Sequence, residues 1–116
     1  MKAKILILFI TCFISGNVHS QSVIKAGDKA PAIAITDYIS NTPKDTTLKN
    51  KYILLEFWAT WCAPCLGAVP HLNMLHEKYK DRNYILFISM TYEAPEKVLK
   101  TLKLIDFKTI VVSDRT

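Results

Sequence analysis

Residues 52–65 read Tyr-Ile-Leu-Leu-Glu-Phe-Trp-Ala-Thr-Trp-Cys-Ala-Pro-Cys, and this stretch decides the fold. Its first seven residues form a nearly continuous apolar run of strand length. Such a run is typical of a strand covered on both faces, so it predicts a central strand. Cys62 and Cys65 follow closely, with Ala63 and Pro64 between them. The stretch therefore predicts a buried strand that leads directly into a dithiol.

Downstream of the dithiol, apolar residues recur every three to four positions. They are Leu66, Val69, Leu72, Leu75 and Tyr79. This spacing predicts a helix over about residues 62–80, and the apolar run at 84–90 predicts a second strand. Strand, helix and strand form a parallel βαβ unit with a right-handed crossover. A shorter helix from Pro95 through Leu102 and a strand at 109–112 should extend this α/β fold.

The segment before the central strand predicts less regular structure. Ile33 and Ile35 alternate with smaller residues, which predicts a strand over residues 32–36. Residues 38–45 contain Ser-Asn-Thr-Pro and predict a turn or hairpin loop. Neither segment carries residues that suggest chemistry.

The first twenty residues have the pattern of a secretory signal peptide. Lys2 and Lys4 form the charged end, an apolar stretch covers residues 5–14, and small residues precede Gln21. The apolar stretch is shorter than the roughly 20 residues of a membrane span, so cleavage near Ser20 is favoured over an uncleaved anchor. We interpret Cys12 as part of this leader. Residues 21–116 should then form one exported domain.

Composition excludes several functions. The chain has 116 residues, 50% of them hydrophobic and 22% charged, as expected for a single soluble domain. Its net charge of +5 is spread over scattered lysines, which argues against nucleic-acid binding. His71 and His76 are five residues apart and do not share a helical face, and the cysteines lack a second pair. We expect no metal site.

The dithiol lies where a strand passes into a helix, a usual place for a site on an open sheet. Free N–H groups and partial positive charge at a helix N-terminus stabilise a thiolate, the species that attacks in disulfide exchange. Two intervening residues bring Cys62 and Cys65 within disulfide range. Cys62 at the exposed end is the predicted nucleophile, and Cys65 is the predicted resolving thiol. Pro64 suits the first turn, because its missing N–H is not needed there.

Three further residues near the dithiol need an interpretation. Glu56 interrupts the apolar run, and we interpret it as a buried proton acceptor for Cys65, acting through water. An exposed strand position paired with a lysine is the alternative. Trp58 is expected in the core, whereas Trp61 either shields the sulfurs or forms a flat docking surface. Pro70 inside the predicted helix should kink it and is architectural.

Residues 55–65, with Pro70 five residues after Cys65, resemble the active-site segment of thioredoxin-fold proteins. The segments Gly-Asp-Lys-Ala-Pro at 27–31 and Leu-Lys-Asn-Lys at 48–51 are similar to the lead-in of one branch of that fold. The branch contains redoxins, exported or membrane-associated proteins of the TlpA and ResA type, and alkyl hydroperoxide reductases. The resemblance implies a thioredoxin-like α/β fold with a central mixed sheet and flanking helices. It also implies that Cys62 is the nucleophile, that Cys65 resolves, and that Glu56 occupies the position of a buried acid.

The sequence departs from the family pattern at two places. Members of the ResA type often have a Glu three residues after the second cysteine, where this sequence has Ala68, which weakens the case for cytochrome maturation. None of its prolines matches the family's cis-proline loop opposite the cysteines. The sequence stops just after the strand that precedes that loop in the family. We therefore expect a partial domain whose C-terminal strands and closing helix are missing, with one sheet edge uncovered.

The leading functional prediction is an exported, periplasmic thiol-disulfide oxidoreductase that acts on protein thiols and disulfides. It would receive electrons from a membrane donor and use no organic cofactor. One alternative is a thiol peroxidase, but that branch has a Thr three residues before its reactive cysteine, where this sequence has Ala59. The other alternative is a non-catalytic binding module in which the disulfide is a permanent staple. So short a disulfide loop would add little stability.

Overall fold

The computed structural model describes residues 23–116, which contain six regular elements. In chain order they are β1 (Asp37–Ser40), β2 (Tyr52–Phe57), α1 (Ala63–Tyr79), β3 (Ile85–Thr91), α2 (Pro95–Leu102) and β4 (Ile110–Ser113). All six elements belong to one compact unit, residues 32–116. The predicted signal peptide, its cleavage site and Cys12 lie outside the described residues.

Within this range the strands form one mixed sheet in the order β1-β4-β3-β2. β3 pairs in parallel with both β2 and β4, whereas β1 pairs antiparallel with β4. The predicted parallel unit of β2, α1 and β3 is confirmed, and so are α2 and the strand that follows it. The central position predicted for β2 is wrong for the described sheet, because β2 lies at its edge. Tyr52 and Phe57 are 75% and 69% exposed there.

The first strand begins later than the sequence predicts. Residues 32–36 form no strand, and β1 instead occupies part of the predicted loop at 38–45. Ile33 and Ile35 do turn inward, but they pack against the core without joining a ladder. The N–H of Thr36 donates to the carbonyl of Ser113 at 2.8 Å, and the pairing of β1 with β4 follows from there. The alternation of Ile33 and Ile35 therefore predicted correctly which side chains are buried. The backbone hydrogen bonds to the strand at Ser113 begin only at Thr36, one residue after Ile35.

Two apolar clusters occupy the two faces of the sheet. Val111 and Val112 are neighbours in β4 and belong to different clusters, because successive side chains of a strand point to opposite faces. Val69 of α1 and Val98 of α2 both join the cluster of Val111, so both helices cover the same face. On the other face, partly buried residues that precede β2 in the chain, one of them in β1, pack against the second cluster. They are Ile33, Ile35, Tyr38 and Leu48.

Each of the two helices contains a proline at a position that the helix tolerates. α1 passes through Pro70, which is exposed, and extends over 17 residues. α2 begins with Pro95, which needs no N–H donor at that position, and has Glu96 in its first turn and Lys100 in its last. Of the two helices described, neither combines the length and the apolar character needed to cross a bilayer.

Asn41 ends β1 in the left-handed region with φ 53°. Asparagine tolerates this conformation better than most residues. Its side-chain amide donates to the carbonyl of Phe107 at 2.6 Å and to that of Thr109 at 2.8 Å. The loop after β1 is thereby held against the segment that precedes β4, on hydrogen bonds independent of the dithiol.

Candidate active site

The dithiol is positioned by a short loop between β2 and α1. The N–H of Trp58 donates to the carbonyl of Met90 at 3.0 Å and so continues the ladder between β2 and β3 by one residue. Cys62 is the N-cap residue of α1, and its N–H donates to the carbonyl of Ala59 at 3.0 Å. Its own carbonyl accepts the N–H of Leu66 at 3.0 Å, which closes the first helical turn. Sheet and helix therefore hold the loop from both ends.

Cys62 and Cys65 are joined by a disulfide, with Cα atoms 5.3 Å apart. Both residues are partly buried, but Cys65 also packs against the core cluster that contains Trp58 and Val69. Pro64 lies in the first turn of α1, where a residue without an N–H is tolerated. The pairing fits the one-turn spacing predicted from the sequence, and the contact with the core distinguishes the second cysteine from the first.

The disulfide lines a cleft of about 390 Å³. The walls come from the end of β2 and its loop, the end of β3, and the C-terminal segment. They include Phe57, Trp58, Ala59, Trp61, Met90, Thr91, Tyr92 and Asp114. Trp58 is buried, as predicted, with its ring centroid 4.6 Å from that of Phe107. The carboxyl ends of two parallel strands thus meet at the disulfide.

Trp61 and Tyr92 form an exposed aromatic pair beside the cleft. Trp61 is 69% exposed and Tyr92 is 62% exposed. The indole Nε1–H of Trp61 donates to the hydroxyl of Tyr92 at 3.0 Å. Sequence reasoning missed Tyr92, although its place directly after the buried strand β3 puts it at the same sheet edge as the dithiol. Both residues line the cleft together with the two cysteines, so two exposed aromatic rings lie at its rim.

Glu56 is half-buried and shares a register position with Ser89 on β3. The hydroxyl of Ser89 donates to Oε2 of Glu56 at 3.1 Å, and it lies 2.7 Å from the hydroxyl of Thr109. Since Ser89 has one hydroxyl proton, Thr109 is the donor in the second bond. Burial raises the pKa of Glu56, and the hydrogen bond from Ser89 opposes that rise. Within residues 23–116, Glu56 forms no ion pair with a lysine, contrary to the alternative interpretation.

The strand register places Glu56 on the helix-covered face of the sheet. Ser89 pairs with Glu56 on one side and with Val111 on the other. Side chains at matched positions of neighbouring strands point to the same face. Val111 belongs to the cluster against which Cys65 packs, so Glu56 and Cys65 lie on the same side of the sheet.

Glu93 is a second acid, bonded to the loop that leads to the dithiol, and unlike the half-buried Glu56 it is buried. Sequence reasoning missed it. Its carboxylate accepts the backbone N–H of Thr60 at 2.6 Å and the hydroxyl of Thr60 at 3.0 Å. Lys97, in the first turn of α2, forms an ion pair with it. Burial raises the pKa of Glu93, but the hydrogen bonds from Lys97 and Thr60 outweigh that effect, so the pKa is lowered. The pKa values of the two acids are therefore shifted in opposite directions, upward for Glu56 and downward for Glu93.

A dithiol at the start of a helix, directly after a parallel strand of a mixed sheet, defines the thioredoxin-like class of proteins. The model of the AhpC/TSA family matches residues 26–116, and the chain belongs to that family. Thiol-disulfide oxidoreductase ResA of Bacillus cereus is 29% identical over an alignment 118 residues long, which covers 97% of this chain and 68% of ResA. Thioredoxin-like protein YneN of Bacillus subtilis is 27% identical over an alignment 94 residues long, which covers 77% of this chain and 55% of YneN.

A solved thiol-disulfide oxidoreductase from Bacteroides fragilis is similar in structure and 29% identical, with a TM-score of 0.51. The similarity covers 58% of this chain and 50% of the solved chain. The chain thus spans about half the length of that structure. These similarities confirm the thioredoxin-like fold predicted from residues 55–65.

Replacing Glu56 with Gln should change how stability depends on pH. Because the folded chain raises the pKa of Glu56, the protonated side chain contributes stability below the pKa of the unfolded chain, and this contribution is lost as pH rises through the folded pKa. Between about pH 4 and pH 8, the free energy of unfolding should therefore fall further in the wild type than in Glu56→Gln. Urea unfolding of the oxidised chains measures this difference.

The matched control is Glu96→Gln, which removes an exposed acid from α2. It should follow the wild-type pH dependence. If Glu56→Gln also follows it, Glu56 carries no perturbed proton equilibrium.

Proposed function

We propose that this protein is an exported thiol-disulfide oxidoreductase that exchanges disulfides with protein thiols. The observation that carries the proposal is the Cys62–Cys65 disulfide at the N-terminus of α1, lining an open cleft. The names of ResA and of the Bacteroides fragilis structure support the same activity. The exposed rings of Trp61 and Tyr92 beside the cleft suit a polypeptide partner, because aromatic side chains can make apolar contacts with it.

Cys62 acts as the nucleophile in this proposal. Its thiolate attacks one sulfur of a partner disulfide, forms a mixed disulfide and releases a partner thiolate. The thiolate of Cys65 then attacks the sulfur of Cys62, which forms the intramolecular disulfide and releases the second partner thiolate. The partner gains two electrons and the Cys62–Cys65 pair loses two. Unpaired N–H groups in the first turn of α1 stabilise the Cys62 thiolate in the reduced protein.

Glu56 acts as the base that prepares Cys65. Cys65 packs against the core, so its thiol must lose a proton in an apolar environment before it can attack. A carboxylate whose pKa is raised by burial accepts such a proton more readily than an exposed one. The shared face of the sheet supports transfer from Cys65 to Glu56 through an intervening water. Trp61 and Pro64 support the site, the first as part of the docking surface and the second by constraining the turn between the cysteines.

Export and the electron donor belong to the same proposal. The charged end, apolar stretch and small-residue site in residues 1–20 support cleavage near Ser20 and delivery to the periplasm. A dithiol that reduces partners in an oxidising compartment needs a continuing supply of electrons. A membrane protein carrying a reduced thiol pair is the class of donor that can supply them across the membrane.

Serine replacements should separate the roles of the two cysteines. Cys65→Ser should accumulate a mixed disulfide with a disulfide-containing test protein, because Cys62 still attacks but nothing resolves the product. Cys62→Ser should form no such adduct and should lose turnover by at least about 10³-fold. Non-reducing electrophoresis detects the adduct, and the exposed Thr116→Ser variant is the control. Equal adduct yields from both cysteine variants would contradict the assigned roles.

Resolution should depend on Glu56. We expect Glu56→Gln to form the mixed disulfide at the wild-type rate but to release it about 10²-fold more slowly near neutral pH, because Cys65 loses its base. Rising pH should restore release, since hydroxide can deprotonate Cys65 without Glu56. Quenched-flow trapping of the adduct over a pH series measures both steps. A uniform slowing of attack and release would instead indicate a structural defect.

The reduction potential tests the direction of electron flow. We expect equilibration with glutathione buffers to give a value near that of thioredoxin, roughly −270 mV, which suits a reductant. A value near −120 mV would make the protein an oxidant and overturn the proposed donor. A disulfide that resists reduction throughout the series would favour the permanent staple. Consumption of hydrogen peroxide by the reduced protein, faster than exchange with proteins, would favour the peroxidase alternative.

A further inference from the structure

We propose that Glu93 is a positioning residue for disulfide exchange: its carboxylate holds Thr60, and through Thr60 it holds the loop that presents Cys62. This inference rests on the proposed function and extends it to a residue on a different segment of the chain. Glu93 follows β3 and precedes α2, whereas Thr60 lies two residues before Cys62. The two segments meet only because the fold brings them together.

Both oxygens of the Glu93 carboxylate are used to hold Thr60. Oε2 accepts the backbone N–H of Thr60 at 2.6 Å, and Oε1 accepts its hydroxyl at 3.0 Å. The Glu93 side chain is 4% exposed, so these bonds are shielded from competing water. Hydrogen bonds to an ionised acceptor are stronger than neutral ones, and two of them fix both the backbone and the side chain of one residue. Thr60 is therefore closely restrained.

A second contact between the same two segments reinforces the first. Trp61 donates to the hydroxyl of Tyr92, so two consecutive loop residues bond to two consecutive residues after β3. Cys62 follows directly as the N-cap of α1. The position of its sulfur relative to the cleft thus depends on a brace built from the turn before α2.

Lys97 keeps the buried carboxylate charged. It lies in the first turns of α2, with its side chain 58% exposed, and forms an ion pair with Glu93. A buried carboxylate without partners would take up a proton and lose one of its acceptor sites. The ion pair therefore keeps both carboxylate oxygens of Glu93 able to accept hydrogen bonds from Thr60. Among the described residues, Lys97 forms no hydrogen bond with the loop itself.

A positioning role and a purely electrostatic role of Glu93 predict opposite effects of its removal on the reactivity of Cys62. A negative charge near Cys62 disfavours its thiolate, so removing that charge alone would increase thiolate reactivity. Loss of positioning would instead displace Cys62 from the N–H groups of α1 and from the approach of a partner, which decreases reactivity. Small displacements of a reacting group are costly, with about 1 Å costing up to about 10²-fold in rate.

The test uses the full chain with Glu93→Ala, Glu93→Gln and Thr60→Val. The first readout is the rate at which the folded, oxidised protein is reduced by dithiothreitol. The second is the midpoint pH for alkylation of reduced Cys62 by iodoacetamide. We expect Glu93→Ala to slow reduction about 10-fold and to move the midpoint to higher pH. Glu93→Gln, which keeps one acceptor oxygen, should fall between Glu93→Ala and the wild type.

Asn41→Ala is the matched control, because it also removes two side-chain hydrogen bonds that tie separate segments, away from the dithiol. It should lower stability in urea without changing the reduction rate or the alkylation midpoint. Thr60→Val should slow reduction less than Glu93→Ala, and the double variant should be no slower than Glu93→Ala alone, as expected for residues acting as one unit.

The outcomes separate this inference from the function on which it rests. Faster reduction or a lower alkylation midpoint in Glu93→Ala would overturn positioning in favour of electrostatics. Equal behaviour of Glu93→Ala and Asn41→Ala would overturn the inference while leaving exchange by the wild type intact. A wild-type disulfide with no reversible exchange would overturn the proposed function itself, whatever the variants do.

Discussion

The parallel pairing of β2 with β3 is the constraint on which the candidate site depends. The register runs from Tyr52 opposite Ile85 to Phe57 opposite Met90, and the N–H of Trp58 extends it by one bond. Because both strands run in the same direction, their carboxyl ends emerge side by side. The dithiol loop follows one strand and the turn containing Glu93 follows the other. A shift of one residue in this register would separate Thr60 from Glu93 and turn Glu56 to the opposite face.

Glu56 and Glu93 show how hydrogen-bond and ion-pair partners decide the direction in which the pKa of a carboxyl group shifts. Glu56 receives one hydrogen bond from Ser89, too little to offset its burial, and its pKa is raised. Glu93 receives two bonds from Thr60 and an ion pair from Lys97, and its pKa is lowered. One residue is thus suited to exchange a proton and the other to hold a fixed charge.

Sequence reasoning predicted α1, α2, β3 and β4 well, because their apolar spacing is local and their boundaries are marked by residues such as Pro95. It misplaced β1, since Ile33 and Ile35 show burial but cannot show that the ladder partner lies near Ser113. It also could not predict that β2 ends the described sheet, because an apolar run does not specify its neighbours. Of the site, the cysteines and Glu56 were visible as motif residues. Glu93 could not be identified from the sequence, because its partner Thr60 is 33 positions away and no local sequence pattern predicts their contact.

The contact of Cys65 with the core cluster couples the redox state of the protein to its folding. The oxidised and reduced forms, each folded or unfolded, make up a closed thermodynamic cycle. Any difference in the free energy of unfolding between the oxidised and the reduced protein therefore equals a difference in reduction potential between the folded and the unfolded dithiol. Val69 packs in that cluster without belonging to the chemistry. Substitution of a packing residue that does not line the cleft, such as Val69, would therefore change the reduction potential of this dithiol while the active-site motif stays unchanged.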